Sequence, residues 1–444
     1  MTRFPITDQS PIVYSPPLPA ASDVVVIGGG VIGVTTAVYL AQAGHRVSLL
    51  EKGRIAGEQS ARNWGWIRQQ GRDPAELPIM KEANHLWRDF ARQTNVDFGL
   101  RQGGTLYIAR SPRELRSFEA WLPHAVACDV DSQVLSRREV KRRFPDLTDP
   151  VTGALYTASD LRAEPWLAVP ALAEIAVRAG VTIIENCAVR ALDISAGRVS
   201  GVVTERGVIK TTSVVLAAGA WSALFLRNHD ISIPQLAVRE TVAATTPLPE
   251  ITPSAFADPH VSIRRRLDGG YTLAPSSIAE LFIGPDAFRA LPKYLPQLWA
   301  APFNQTYLPA APTGFPDGWR TPRRWDADAQ TPFERMRILN PKPNRGQIKR
   351  AARTLAKTFP RLPRFHLRAT WAGMIDTMPD VVPIVDHCAH LPGLIIGTGM
   401  SGHGFGIGPG MGRILAALVR GDTVSHDLTR FRFSRFSDGS PIQL

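Results

Sequence analysis

The stretch DVVVIGGGVIGVTTAVYLAQAGHRVSLLEK, residues 23–52, constrains the fold of this chain more strongly than its composition does. Residues 23–27 form a short apolar run rich in β-branched side chains, which predicts a buried strand. Residues 34–43 have helical periodicity. A second apolar run, residues 46–50, predicts another strand and ends in Glu51. Strand, helix and strand in this order predict an α/β fold with a parallel, doubly wound sheet.

Three glycines follow the first predicted strand in G-x-G-x-x-G spacing. Gly28 permits a tight turn, Gly30 lets the backbone approach a pyrophosphate, and Gly33 lets the helix pack closely on the strand. The helix begins near Val31 and Ile32, where free N–H groups attract phosphate. An isolated glycine pattern would also suit an ordinary loop. In this ordered context, the pattern predicts a Rossmann-type site for a dinucleotide.

Glu51 indicates which dinucleotides are favoured. It lies 18 residues after Gly33, where a carboxylate can accept hydrogen bonds from both ribose hydroxyls. Lys52 follows it and belongs to the same predicted site. Because a carboxylate disfavours a 2′-phosphate, FAD and NAD are favoured over NADP.

Length and composition limit the class of protein. A chain of 444 residues can contain two or three domains. No run approaches the roughly 20 apolar residues of a membrane span. Residues 1–20 are rich in proline and predict an extended arm rather than a signal peptide. The three cysteines are far apart in sequence, which favours buried thiols in the cytoplasm over disulfides or a metal site.

The net charge of +12 does not by itself indicate nucleic-acid binding. The densest basic groups, residues 136–144 and 263–267, have no interleaved aromatic residues on a known nucleic-acid scaffold. A basic solvated surface accounts for the charge. A field that attracts anionic substrates is the alternative.

Patterns along the rest of the chain predict further elements and no internal repeat. The predicted elements are a loop over 55–75, a helix over 76–93, a strand within 103–110, a mostly helical stretch over 111–144, a helix ending near Gly180, a β-meander leading to a buried strand over 214–217, alternating strands and loops over 231–310, a loop over 310–345, a helix over 346–359, and a final strand, glycine-rich loop and helix.

Four blocks in order carry a family resemblance: the N-terminal fingerprint, VVLAAGAWS (214–222), WAGMIDTMPDVVPIVD (371–386) and GTGMSGHGFGIGPGMG (397–412). Together they resemble the D-amino-acid oxidase superfamily of FAD-dependent oxidoreductases. The most similar groups in pattern are the sarcosine, glycine and fructosyl-amino-acid oxidases. The resemblance covers nearly the whole chain and implies FAD rather than NAD.

The resemblance also implies further cofactor contacts. In such enzymes one loop passes the flavin, a later backbone position meets adenine, a strand end borders the diphosphate and ribose, and a glycine-rich loop faces the pyrimidine edge of the flavin. The matching residues are Ser60, Arg62 and Asn63; Val189; Ala218, Gly219 and Trp221; and Gly399, Met400, Ser401, Gly402, His403 and Gly404.

The implied reaction is hydride transfer from a C–H beside an amine to flavin N5, giving an imine that water hydrolyses. The substrate is then an amino acid or a secondary amine bearing a carboxylate. Arg68 lies close to the position of a carboxylate-binding arginine, and a guanidinium pairs with a carboxylate through two hydrogen bonds. A surface or phosphate contact is the alternative. Trp64 and Trp66 suit either an apolar substrate slot or core packing.

Two departures from the family pattern matter. No arginine follows the W-x-G block, which counts against a simple D-amino-acid or glycine oxidase. Asp376 stands there, either to meet a basic amine or to cap a turn. Neither Ala372 nor Gly373 can carry a covalent flavin as a cysteine does in sarcosine oxidases. We therefore expect FAD to be bound non-covalently.

The electron acceptor remains open between O₂ and a quinone or other electron carrier. Oxidases often place a positive charge near flavin N5. Arg264 and Arg266, on one face of a predicted strand, are candidates for that charge, as is His403. Solvated charge at a sheet edge is the alternative for the two arginines. We predict no metal site.

The expected fold has two interleaved domains with the flavin ring at their interface. The FAD domain takes 21–105, 155–230 and 365–444, and the antiparallel-sheet substrate domain takes 106–154 and 231–364. Two other readings stay open: a non-catalytic or partner-dependent flavoprotein subunit of a larger dehydrogenase complex, and an NAD-linked dehydrogenase. An oligomer is possible.

Overall fold

The computed structural model describes residues 5–276, 279–300 and 305–444. The first four residues of the predicted arm therefore lie outside the described residues. The helices in chain order are α1 (Val31–Gln42), α2 (Gln59–Arg62), α3 (Leu77–Arg92), α4 (Pro112–Ala127), α5 (Arg137–Arg143), α6 (Pro165–Arg178), α7 (Ser222–Arg227), α8 (Pro285–Ala300), α9 (Pro332–Arg335), α10 (Arg345–Thr358) and α11 (Gly404–Arg420).

The strands form two larger and two smaller sheets. In chain order they are β1 (Val24–Ile27), β2 (Val47–Leu50), β3 (Trp66–Ile67), β4 (Arg101–Gln102), β5 (Thr105–Ala109), β6 (Ser132–Ser136), β7 (Gly153–Thr157), β8 (Leu161–Arg162), β9 (Thr182–Ile184), β10 (Val189–Ser195), β11 (Arg198–Thr204), β12 (Gly207–Lys210), β13 (Val214–Leu216), β14 (Leu236–Thr245), β15 (Ala255–Ala257), β16 (Val261–Arg265), β17 (Tyr271–Pro275), β18 (Ala279–Phe282), β19 (Gln305–Leu308), β20 (Leu367–Thr377), β21 (Ile384–His387) and β22 (Leu394–Thr398).

One sheet has the order β21-β22-β13-β1-β2-β9 and is parallel except for β21. Its central strands are apolar throughout because α1 and other helices cover them. The strands β10, β11 and β12 form the predicted antiparallel meander. The parallel sheet with an attached meander is confirmed, and it places the carboxyl ends of β1, β2 and β13 beside one another.

The second large sheet has the order β19-β18-β14-β17-β16-β15-β5-β7-β6, and β20 also pairs with β14. Most pairs are antiparallel, as expected, but β5 with β15 and β18 with β19 are parallel. The strand β20 pairs with β14 over nearly its whole length, although the expected bounds assign it to the FAD domain. The domain bounds themselves stay a prediction.

Most predicted elements match, and three need correction. The predicted loop over 55–75 contains α2 and β3. The charged stretch over 111–144 includes the strand β6 between its two helices. The helix α8 lies in the range 231–310, where only strands and loops were predicted, and it contains Pro292 and Pro296. The loop over 310–345 is irregular as expected apart from α9.

Two irregular segments pack against the cofactor sheet. In the arm, the backbone N–H groups of Val13 and Tyr14 donate to the carboxylate of Glu185 at 2.6 and 3.0 Å. In the loop over 310–345, Phe333 packs edge-on against Trp221, with ring centroids 5.7 Å apart. The arm is therefore tied to the end of β9, whereas the loop over 310–345 contributes to the wall of the site through Phe333.

Candidate active site

The carboxyl ends of β1, β2 and β13 open into a cavity of about 1200 Å³, including its connection to solvent. Its wall extends from the turn after β1 to the loop before α11, so the cavity joins the two contact surfaces that an extended dinucleotide needs. Most of the predicted cofactor residues line it: Gly28, Gly30, Val31, Ile32, Glu51, Lys52, Ser60, Asn63, Val189, Ala218, Gly219, Trp221, Met400, Gly402 and Gly404.

The glycine-rich turn fits a dinucleotide because side chains would block it. Gly28 has φ +113°, and a Cβ there would lie 2.4 Å from the carbonyl oxygen of Ala217. A Cβ on Gly33 would lie 2.0 Å from the carbonyl oxygen of Gly28, which would force α1 off the sheet. Gly30 precedes α1 and provides no side-chain cap. Beyond the N–H of Val31, which Ser60 binds, the first turn of α1 is thus open to an anionic ligand.

Glu51 and Lys52 are anchored at the end of β2. The carboxylate of Glu51 accepts from the backbone N–H groups of Gly29 at 2.7 Å and Gly53 at 2.6 Å. Burial raises the pKa of Glu51 to about 7, although Lys52 and the two N–H groups oppose the rise. The Lys52 ammonium donates to Glu58 at 2.6 Å and lies over the Trp221 ring. Carboxylate oxygens can each accept more than one bond, so Glu51 retains acceptor capacity for a ribose.

Two residues of the flavin-passing segment have different surroundings. The Ser60 hydroxyl accepts from the N–H of Val31 at 2.9 Å, which ties the segment to α1. Arg62 does not line the cavity. Its buried guanidinium donates to the carbonyl oxygens of Ile6 and Ala372, among others. The position of Arg62 indicates that it braces the arm and β20 from behind the site.

The glycine-rich loop before α11 is held by Asp376. One carboxylate oxygen of Asp376 accepts from the backbone N–H groups of Gly399 at 2.8 Å and Met400 at 3.2 Å. The backbone carbonyl of Asp376 accepts from Ser401 N at 2.8 Å. Of the two roles weighed for Asp376, these contacts favour capping the loop. Burial raises the pKa of its carboxyl group, whereas the loop N–H groups lower it.

His403 caps the start of α11 and pairs with a residue that the sequence did not single out. The His403 Nδ1 lies 2.7 Å from Glu76 Oε2. Burial lowers the pKa of His403, and the nearby Arg72 and Arg68 lower it further. Burial alone would raise the pKa of Glu76, but His403 and the arginines outweigh it and the pKa is lowered. The geometry suits a neutral imidazole that donates its Nδ1 proton to Glu76.

Arg68 lies beside aromatic rings rather than on the cavity wall. Its guanidinium stacks 5.6 Å from the centroid of Tyr107 and donates to the carbonyl oxygen of Gln70. Trp66 lies between Trp64 and Tyr107, at centroid distances of 5.4 and 6.1 Å. These contacts keep Arg68 and the two tryptophans together in one half-buried cluster. The carboxylate-binding role of Arg68 stays a prediction.

Arg264 and Arg266 do not lie on the cavity wall. Arg264 is fully buried and forms a two-bond ion pair with Glu164, with both distances at 3.0 Å. Arg266 pairs with Asp268 and stacks on Trp166. The structure brings neither arginine to the flavin loop, and the buried position of Arg264 also argues against a solvated sheet edge. Strand alternation predicted that Arg264 and Arg266 share one face of the strand, but it could not reveal which residues would pair with them there.

Sequence reasoning missed several wall residues, including Glu58, Gln59, Phe333 and Met374. Glu58 accepts from the indole of Trp221 at 3.0 Å and from the N–H of Leu339 at 2.9 Å. These contacts join segments more than 160 residues apart, so no local spacing could reveal them. The position of Glu58 between predicted site residues 52 and 60 was the available signal.

The comparisons with known proteins agree with this geometry. A family model described as FAD dependent oxidoreductase (DAO) matches residues 23–418. The chain belongs to this family. The match confirms the resemblance seen in the four sequence blocks and selects FAD over NAD.

Three relatives show how the similarity is distributed. Sarcosine dehydrogenase of Mus musculus is 27% identical over 95% of this chain, but the chain spans only 42% of that protein. Sarcosine oxidase subunit beta of Arthrobacter is 26% identical over 98% of this chain and 96% of its own length. The structure of L-amino acid deaminase from Proteus myxofaciens in complex with anthranilate has a TM-score of 0.90, with 29% identity and 97% coverage of each chain. The fold is thus shared over its full length.

Two features of other protein classes are absent from the described ranges. No helix there is both long and apolar enough to cross a membrane. The same residues contain no group of three or more His, Cys, Asp or Glu side chains placed to hold a metal ion.

Proposed function

We propose that this chain is an FAD-dependent oxidoreductase that oxidises the C–N bond of an amino acid or a carboxylate-bearing secondary amine. The observation that carries the proposal is the cavity, which joins a dinucleotide cradle to the glycine-rich loop held by Asp376. Bound FAD would supply the hydride acceptor. Family membership and the full-length likeness to an L-amino acid deaminase support the reaction class.

The residues of the chain orient the reactants. The N terminus of α1 and Glu51 would hold the diphosphate and ribose. The start of α11, with Gly402 and Gly404, directs backbone N–H groups and a partial positive charge toward the flavin end. Such charge stabilises an anion that forms there. Arg68 would bind the substrate carboxylate and so set the orientation of the amine.

We infer that FAD is bound non-covalently, as the sequence predicts. The residues described around the cavity include no cysteine or histidine, the side chains that most readily attach a flavin. Denaturation in acid should therefore release the yellow colour from the protein. Colour retained on the precipitated chain would contradict this inference.

A cytoplasmic location also belongs to the proposal. Cys128, Cys187 and Cys388 are all free thiols. Free thiols suit a reducing compartment. Cell fractionation checks the location.

Anaerobic flavin bleaching tests the activity. The purified chain would be mixed without oxygen with D- and L-amino acids, N-methyl amino acids, cyclic imino acids and Amadori products, and its visible absorbance followed. Bleaching by one class identifies the substrate. On admission of air, fast recolouring indicates an oxidase, and slow recolouring indicates transfer to a quinone or other carrier.

A second candidate function is that of a partner-dependent subunit. It is favoured by the full-length similarity to a protein named as subunit beta of sarcosine oxidase. Under this alternative the yellow chain alone is bleached by none of the amines. Turnover would then appear only after a partner chain is restored.

A further inference from the structure

Glu240 lies on the inner face of β14, toward the cofactor site. The neighbouring residues on β14 face the segment 342–344. The Arg239 guanidinium donates to the carbonyl oxygen of Lys342, and the Thr241 hydroxyl accepts from Asn344 N. Successive side chains of a strand point to opposite faces. Glu240 therefore points away from the 342–344 segment.

The inner face of this sheet contacts the predicted flavin segments. On β20, the Trp371 indole donates to the carbonyl oxygen of Arg62 at 2.9 Å. Four residues further along β20, the Ile375 side chain would lie 3.8 Å from a Cβ on Gly402. The rung of Glu240 lies between these two contacts. Its side chain thus occupies the sheet face that covers the cofactor loops.

The residue opposite Glu240 leaves space for a ligand group. Glu240 pairs with Gly373, where a Cβ would lie 1.9 Å from Gln59 Oε1. Side chains directly opposite each other have Cβ atoms about 5 Å apart, so the Gln59 amide and the Glu240 carboxylate are neighbours. Gln59 lines the large cavity. Its Oε1 atom is buried and accepts no hydrogen bond from the described residues.

Glu240 also lacks a partner. Within the part of the chain that the structure describes, its carboxylate forms no hydrogen bond or ion pair, and burial alone raises the pKa of its carboxyl group to about 7. The strand β14 pairs with β17 and β18 on either side of Glu240 but not at Glu240 itself. A half-buried carboxylate without a donor is unfavourable unless a ligand satisfies it. Two adjacent acceptors, Glu240 and Gln59, call for a cationic donor.

We propose that Glu240 is a specificity-determining residue that binds a positively charged group of the substrate other than the reacting amine. The inference rests on the proposed function. The Glu240 rung lies two residues along the strand from the Ile375 rung at the flavin loop, a spacing of about 7 Å. Glu240 therefore binds a substrate group that is distant from the reacting amine. An ammonium or guanidinium group fits the charge of Glu240 and can donate to the Gln59 oxygen. The substrate class is basic amino acids or amines with a second cation.

Matched pairs of substrates test the inference. Lysine with norleucine and arginine with citrulline, each as both enantiomers, would be compared by the rate of anaerobic flavin bleaching. The native chain should prefer the charged member of the productive pair. Glu240→Gln should reduce that preference at least tenfold while changing the rate with the neutral member less than threefold. The matched control, Glu119→Gln on the exposed face of α4, should change neither.

Ligand binding gives a readout without turnover. Calorimetry would compare 4-guanidinobutanoate with pentanoate, which lack an α-amine, on the FAD-loaded protein. Glu240→Gln should weaken only the guanidinium ligand, by tenfold or more, while FAD content stays at the native value and the melting temperature does not fall. Equal binding of 4-guanidinobutanoate by native and variant proteins would overturn the inference.

The two proposals fail in different ways. If amines bleach the flavin but the native chain shows no preference for the charged member, the assignment of Glu240 is wrong and the proposed function stands. If no amine bleaches the flavin but 4-guanidinobutanoate binding depends on Glu240, the assignment of a cation site stands and the proposed function is wrong.

Discussion

The two ends of the cavity are built on different principles. At the nucleotide end, contacts come from backbone atoms and from residues close together in sequence, between Gly28 and Glu51. At the substrate end, β20, α2 and the loop before α11 meet across nearly the whole chain, and β14 lies beside them through its pairing with β20 without lining the cavity. The first end recognises a part common to many cofactors. The second is the end at which we propose that the substrate binds.

The two ends also differ in how their polar groups are satisfied. Glu51, Lys52 and Glu58 all have hydrogen-bond partners. Toward the substrate end, Gln59 Oε1 has none among the described residues, and Glu240 likewise has no partner there. Satisfied groups rigidify a site, whereas unsatisfied ones indicate where a ligand completes it. Specificity is therefore expected to depend on the substrate end.

The largest effect is expected from Gly33→Ala at the nucleotide end. The new Cβ would lie 2.0 Å from the carbonyl oxygen of Gly28, so α1 must move away from the sheet. We expect cofactor content to fall below a tenth of the native value and the free energy of unfolding to fall by about 3 kcal/mol. Absorbance at purification and chemical denaturation measure both.

Gly44→Ala is the matched control for that change. Gly44 has a positive φ, +88°, unlike the helical Gly33, and a Cβ there meets nothing within 4 Å. The cost should be about 1 kcal/mol from backbone strain, with cofactor content unchanged. Equal cofactor loss in both variants would show that the close packing of α1 on the sheet at Gly33 is not what maintains cofactor binding.

A second large effect is expected from Arg68→Ala at the substrate end. Loss of a two-bond pair with a substrate carboxylate should lower kcat/KM by about a hundredfold, or roughly 3 kcal/mol. Arg101→Ala, which removes an exposed ion pair with Asp97, is the control and should leave kcat/KM unchanged. Native kcat/KM in Arg68→Ala would instead favour a structural role beside Tyr107.

A smaller effect is expected from Asp376→Ala. Asp376 joins the two ends of the cavity. The change leaves the N–H groups of Gly399 and Met400 without their acceptor, so the loop loses its fixed shape. FAD affinity should fall by about tenfold to a hundredfold, or 1.4 to 2.8 kcal/mol. Asp376→Asn keeps a carbonyl acceptor and should recover most of the loss. Titration of cofactor-free protein with FAD distinguishes the two variants.

The contrast between the two ends of the cavity also explains how much of the structure could be predicted from the sequence. The nucleotide end was predictable because its geometry follows from local spacing: strand, three glycines, helix, strand and acid. The glycine-rich loop was found through the family resemblance, but its tie to Asp376 depends on a register between distant strands. Arg264 shows the limit most clearly. Its face was predicted from alternation, yet Glu164, 100 residues away, neutralises it.

Glu240 was missed for a related reason. On β14, LAVRETVAAT, it is one charged residue beside another, Arg239, and nothing local separates their roles. Arg239 has Glu280 as its partner, at 2.8 Å, whereas Glu240 has none within the described ranges. Only the β14–β20 register places Glu240 opposite a glycine. A group left without a partner is recognisable only after every neighbour is known.

The smallest expected effect is a pH dependence of stability that comes from Glu240. Burial raises the pKa of its carboxyl group from 4.5 to about 7, so between these values the folded protein holds a proton that the unfolded chain has lost. The free energy of unfolding should therefore fall as the pH rises from 4.5 to 7. Glu240→Gln removes that term. The free energy of unfolding of Glu240→Gln should equal that of the native protein near pH 4.5 and exceed it by about 1 to 2 kcal/mol at pH 8, after allowance for partial exposure of the carboxylate.

Urea denaturation of the ligand-free protein at several pH values measures this difference. Glu119→Gln, at an exposed position of α4, should track the native curve throughout. If Glu240→Gln is instead less stable than the native protein at pH 8, the carboxylate has a donor within the fold. The contrast between a satisfied nucleotide end and an open substrate end would then fail at this residue. A gain in stability at high pH combined with the loss of preference for charged substrates would show that stability is sacrificed there for recognition.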